Sequence, residues 1–217
     1  LLRRPGSNLR DLARFMDDQR NEDLVERGKR LPNPSSQDFF EHSFTESKYT
    51  TTKLAIAAKL QSLLSNDTFE RIVCAQSSFS LSEVANSGMI GLFSLSKGAL
   101  GPDGAEALGR LLVASLRRIA FMRDRVPNQQ SRPVSYVVLD EFQNFVGPSI
   151  EEIATETRKY NLRLILANQL LSQIPSKLRS IVLANSNLKF CGKNHSSTNG
   201  SMAEEVGLSM PEFRGLG

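Results

Sequence analysis

Val134-Ser-Tyr-Val-Val-Leu-Asp-Glu-Phe-Gln-Asn-Phe145 is the stretch that decides the fold. Its first six residues form a short apolar run rich in β-branched and aromatic side chains, the composition of a buried strand. That run ends at Asp140-Glu141. A second run of the same kind, Leu162 to Ala167, ends at Asn168-Gln169. Between them, Pro148 to Tyr160 places Ile150, Ile153, Ala154 and Thr157 at helical spacing, with proline at its start. Strand, helix, strand in this order predicts a parallel pair joined by a right-handed crossover. In an open parallel sheet the C-terminal ends of the strands are where ligands bind, because helix starts and free backbone groups converge there.

Working outward, Met89-Ile-Gly-Leu-Phe-Ser-Leu95 is a further apolar run bounded by Gly88 and Ser96-Lys97-Gly98, and we expect a buried strand there. A long helix is predicted from Pro102 to about Arg123, with Leu108, Leu111, Leu112, Ile119 and Met122 on one stripe. Past the second run come an expected helix near 176–185, a strand from Leu188 to Cys191 and a helix near 198–206. Four alternations of strand and helix predict an α/β fold, with a parallel sheet covered by helices on both faces. The N-terminal third differs. Helices are predicted after Ser7 or Asn8, from about Thr50 to Leu64, and from Asp67 to Gln76, separated by the proline break Leu31-Pro-Asn-Pro-Ser-Ser36. We therefore expect residues 1–84 to form an all-helical subdomain and residues 85–217 the sheet-bearing part.

The composition excludes several classes of function. The chain has 217 residues and a net charge of +4, a mild basic excess that permits an anionic partner without requiring one. Cys74 and Cys191 are too few and too far apart for a disulfide framework or a zinc site. His42 and His195 have no ligand-spaced neighbours and are read as surface or packing residues. No run reaches the roughly 18 to 20 apolar residues that span a bilayer, and no signal-peptide pattern opens the sequence. The first residue, Leu1, leads us to expect an excised or processed segment of something longer.

An apolar strand ending in Asp-Glu is the Walker B pattern. Asp140 can orient a water on Mg²⁺, and Glu141 can position or deprotonate the water that attacks a nucleotide γ-phosphate. An acidic turn after a strand is the plainer reading. Gln169, just past the neighbouring strand, can hydrogen-bond the γ-phosphate or that water, or simply belong to a helix start. Arg158 is read either as a cation capping a helix end or as an arginine finger reaching a nucleotide held by a neighbouring subunit. For Lys159 the capping role is preferred. A glycine-rich phosphate loop is absent: Gly192-Lys193 lacks the required glycine upstream. Ser96-Lys97-Gly98 can form a small anion nest, although an ordinary turn explains it better. The sequence thus supplies half of a nucleotide-hydrolysis site.

Tyr136-Val-Val-Leu-Asp-Glu-Phe-Gln-Asn-Phe145, Glu156-Thr-Arg-Lys-Tyr-Asn-Leu162, Leu166-Ala-Asn-Gln169 with Gln173 and Ile174, and Ile181 to Asn185 together resemble the C-terminal half of the type IV secretion coupling proteins. These are conjugative DNA-transfer ATPases of the TraD and TraG kind, within the HerA and FtsK superfamily. The resemblance extends over roughly residues 50–210. It implies a RecA-like parallel sheet flanked by helices, with residues 1–84 as an all-helical insertion in the motor domain. It further implies ATP and Mg²⁺ as cofactors, DNA held mainly through its backbone, a homo-hexameric ring, and relaxase, relaxosome and secretion-channel proteins as partners. The implied location is the cytoplasmic face of the bacterial inner membrane, with no membrane contact by this segment. By motif position, Asp140 and Glu141 are the Walker B pair, with Asp140 holding Mg²⁺ through water. Arg158 is the trans-acting finger and Gln169 the sensor. The isolated chain is expected to be inactive without a phosphate loop. A non-catalytic scaffold or substrate-docking module, and a HerA-like translocase of DNA repair or defence, are the alternatives.

Overall fold

The computed structural model describes residues 6–126, 128–190 and 196–215. Its helices are α1 (Leu9–Phe15), α2 (Glu22–Gly28), α3 (Pro34–Asp38), α4 (Thr50–Leu64), α5 (Asp67–Cys74), α6 (Leu81–Asn86) and α7 (Lys97–Met122). They are followed by β1 (Ser135–Leu139), α8 (Pro148–Glu156), β2 (Leu162–Leu166), α9 (Ser176–Asn185), α10 (Ser196–Val206) and α11 (Met210–Arg214). The chain divides into two compact units: residues 1–78 with 95–105, and residues 79–94 with 106–217.

Among its described residues the first unit contains helices and turns and no strand. Asn8 caps α1 in a capping box with Asp11, and Asn66 caps α5 by accepting from the Phe69 amide, so both helix starts are fixed by side chains visible in the sequence. Its centre is aromatic. Phe15 stacks on Phe44 with ring centroids 4.7 Å apart, and Phe39, Phe40 and Tyr49 pack edge-on or tilted around them. Such pairs add about 0.5–1.5 kcal/mol each beyond the area they bury. The Lys53 side chain is buried in this unit; its Nζ donates to both oxygens of Asp18 at 2.6 and 2.7 Å and lies 4.3 Å from the centre of the Phe44 ring. Helix α7 is broken at Gly101, whose φ of +70° with ψ of 161° only glycine adopts readily. Pro102 then restarts the helix with its pre-set φ, as proline does at a first helical position.

The second unit is built on β1 and β2, which pair in parallel with Ser135 opposite Leu162 and Leu139 opposite Leu166. One face of this pair covers the core. Val113 and Ala120 of α7, Ile150 and Ile153 of α8, Ile174 and Leu178 of α9, and Phe142, Tyr160 and Leu162 form one buried cluster. Each fully buried aliphatic side chain there contributes about 1.5–3 kcal/mol. The opposite face, bearing Tyr136, Val138, Arg163 and Ile165, is exposed.

The architecture is thus α/β with a parallel pair, but the sheet is smaller than the sequence predicts and is not covered on both faces. Among the described residues, Met89 to Leu95 belongs to no strand: the segment is irregular, with Ile90 89% and Leu92 91% exposed. Residues 188–190 are likewise outside any strand, and the Cys191 end of that expected element lies outside the described residues. An apolar run is a strand only when a neighbour accepts its backbone hydrogen bonds, and neither segment has one in the sheet. The Gly192-Lys193 pair and His195 also lie outside the described residues.

Candidate functional site

Hydrogen bonds between the two strands continue past their ends. The Ala167 amide donates to Leu139 O at 2.9 Å and the Phe142 amide to Ala167 O at 3.1 Å, so the residues that follow β1 and β2 leave the sheet side by side. Asp140 then turns the chain by accepting the Glu141 amide at 3.0 Å. Glu141 itself is left-handed (φ 50°, ψ 44°). For a residue other than glycine this costs on the order of 1 kcal/mol. Phe142 compensates by inserting into the core at 1% exposure, and Asn144 Nδ2 ties the turn by donating to Glu141 O at 3.1 Å.

This turn aims the Glu141 carboxylate across the rim. Gln169 Nε2 donates to its Oε1 at 2.7 Å and Gln143 Nε2 to its Oε2 at 2.5 Å. Each carboxylate oxygen retains a further lone pair for a water. Gln143 Oε1 is buried without a hydrogen-bond partner, so Gln143 is fixed by Glu141 alone among the described contacts. Its position two residues after Glu141, inside the quoted motif, was the available signal for it. The left-handed Glu141 had none, because glutamate carries no preference for that conformation.

Asp140 is exposed at the same strand end. Among the described residues no three His, Cys, Asp or Glu side chains cluster as metal ligands. One open carboxylate fits a cation held mostly by water and phosphate, the manner of Mg²⁺, and does not fit a cation caged by protein.

Arg158 is elsewhere. It lies in the 3₁₀ turn Thr157–Tyr160, before β2, at the N-terminal end of the strands. Five strand residues separate that end from the Asp140 rim, roughly 17 Å. The structure therefore brings Glu141 and Gln169 into direct contact, with Asp140 adjacent, and leaves Arg158 at the opposite end of the sheet. A shallow cleft of about 590 Å³ there is lined by Thr155, Glu156, Arg158, Lys159, Asn161 and Arg163.

What these elements define is a strand–helix–strand unit of parallel sense with acid and amide side chains gathered at one rim. Residues 135–211, which contain both strands, match the family model described as the TraM recognition site of TraD and TraG. The match supports a TraD/TraG-like coupling-protein region over these residues. The comparisons with curated proteins and with solved structures gave no match.

Proposed function

We propose that this chain is part of a hexameric, DNA-translocating ATPase that couples a relaxosome and its DNA to a type IV secretion channel, and that its 135–169 rim is the hydrolytic half of a RecA-like nucleotide site. The observation that carries the proposal is the 2.7 Å hydrogen bond between Gln169 and Glu141. It joins two residues 28 apart in sequence at the strand ends where α/β sheets bind ligands. Glu141 positions the attacking water and takes its proton. Gln169 holds that carboxylate and is placed to exchange it for a γ-phosphate oxygen. Asp140 would hold Mg²⁺ through water, and the ion would supply positive charge against the phosphates there. Arg158 is too distant to serve the rim of its own chain, which favours a finger acting on a neighbouring subunit's nucleotide. A complete nucleotide site of this kind also needs a phosphate loop, which the 135–169 rim does not contain. DNA is gripped through backbone phosphates, and the site operates on the cytoplasmic side of the inner membrane. No described helix is long and apolar enough to cross a membrane.

In the complete protein, Glu141→Gln should bind ATP and hydrolyse it at least about 100-fold more slowly, the loss typical of a missing general base. Near-normal turnover, measured by phosphate release, removes the assignment.

A second reading has its own support. The matched family is described by recognition of TraM, so the same region also serves as a docking surface for a relaxosome protein of that kind.

A further inference from the structure

We infer that the cleft at the N-terminal end of β2 is an anion site for a phosphate chain, with Arg163 as a second cation beside Arg158. Three observations carry this. First, the cleft's arginines are uncompensated. Elsewhere in the same unit Arg110 pairs with Glu106, Arg117 with Glu152 and Lys177 with Glu151, whereas neither Arg158 nor Arg163 meets a carboxylate among the described residues. Glu156 is the only acid lining the cleft, against Arg158, Lys159 and Arg163.

Second, the backbone that presents these cations is pinned from behind. Buried Thr157 donates its hydroxyl to Ile153 O at 2.7 Å, and Tyr160 O accepts from Arg123 Nη1 at 3.0 Å. Lys159 O accepts from Arg132 Nη1 at 2.8 Å, and Asn161, left-handed at φ 56°, donates to Arg132 O at 2.9 Å. A site held this firmly binds without first having to order its backbone. Like charges gathered on a rigid support raise the energy of the empty cleft, and an anion relieves it.

Third, the guanidiniums are exposed and available. Arg163 projects from the bare sheet face, with Cζ 5.8 Å from the ring centre of Tyr136, a stacking contact that orients its planar fork and leaves its donors free. Two forks of five donors suit the tetrahedral oxygens of consecutive phosphates better than a single carboxylate. The phosphates come from a nucleotide tail or from a nucleic-acid backbone. The inference rests on the reading of Arg158 above only for the first of these sources.

The test uses the whole chain, with inorganic tripolyphosphate as the probe in isothermal titration at low salt. Arg158→Gln and Arg163→Gln should each weaken binding about tenfold, Glu156→Gln should strengthen it, and Arg110→Gln should leave it unchanged. Circular dichroism melts of each variant establish that the fold is kept. ATP and a single-stranded oligonucleotide are then tried as competitors, and whichever displaces the probe names the source. Equal weakening by Arg110→Gln and Arg163→Gln, or displacement by neither competitor, overturns the site. Because the titration needs no hydrolysis, its outcome is independent of Glu141→Gln turnover, so failure of the cleft and failure of the motor reading are told apart.

Discussion

Glu141 combines three constraints in one side chain: a left-handed backbone, two amide donors on its carboxylate, and a neighbour, Phe142, buried in the core. The backbone cost limits what can replace it, since β-branched residues are excluded from that conformation and glycine or asparagine enter it readily. The acid pair and Gln169 are legible in the sequence because both follow apolar runs, which fixes them at strand ends. The contact with Gln143 is signalled only by its place two residues on in the motif, because its direction depends on a turn geometry that no residue type announces. A second residue-scale feature sets an acid limit on stability. The Lys53 hydrogen bond holds the Asp18 carboxyl below its ordinary value. A carboxyl whose folded value is depressed contributes stability above its unfolded value, near 4, and that contribution disappears as pH falls further. Asp18→Asn leaves the buried Lys53 ammonium without a counter-charge and should cost about 2 kcal/mol at pH 7. This is less than for a fully buried pair, because Asp18 is partly exposed. Denaturant melts at pH 7 and pH 3 check both statements: the difference between parent and variant should shrink at the lower pH.

At the scale of elements, Arg123 at the end of α7 joins four pieces of chain. Its guanidinium donates to Asn86 Oδ1, Ala85 O, Tyr160 O and Ser135 Oγ, at 2.6 to 3.0 Å. Thus α6, the start of β1 and the turn before β2 are fixed to one buried cation, whose value burial lowers from its ordinary one. Arginine keeps its charge regardless. Arg123→Leu removes four hydrogen bonds, of which the one to Tyr160 O is fully buried, and should destabilise the second unit by about 2–3 kcal/mol, seen as a lower melting temperature and faster amide exchange in β1. Sequence periodicity marks Arg123 only as the end of a helix. It is more reliable for the helices themselves: Thr50–Leu64 and Ser176–Asn185 are observed with the expected bounds, because helical hydrogen bonds and residue spacing are local. The runs at 89–95 and 188–190 misled for the opposite reason. Strand formation requires a partner, and a partner is a non-local fact.

For the whole molecule, Arg158 and the acidic rim lie at opposite ends of the strands, so under the proposed function one subunit cannot bring both to the same nucleotide. In mixtures of complete proteins, Arg158→Ala subunits combined with Glu141→Gln subunits should hydrolyse more ATP than the sum of the two variants alone, since some interfaces pair an intact Arg158 with an intact Glu141. No gain over that sum counts against action in trans. The charge and length of the sequence contain nothing of this division, which becomes visible only once the strands have a direction. The uncovered side chains of Ile90, Leu92, Leu188 and Phe190 bear on something else. Aliphatic and aromatic groups left in water on segments that belong to no described strand are where chains adhere to one another. Concentrating the isolated polypeptide therefore invites precipitation that begins there, and a lysine introduced at position 92 would act as a gatekeeper against it.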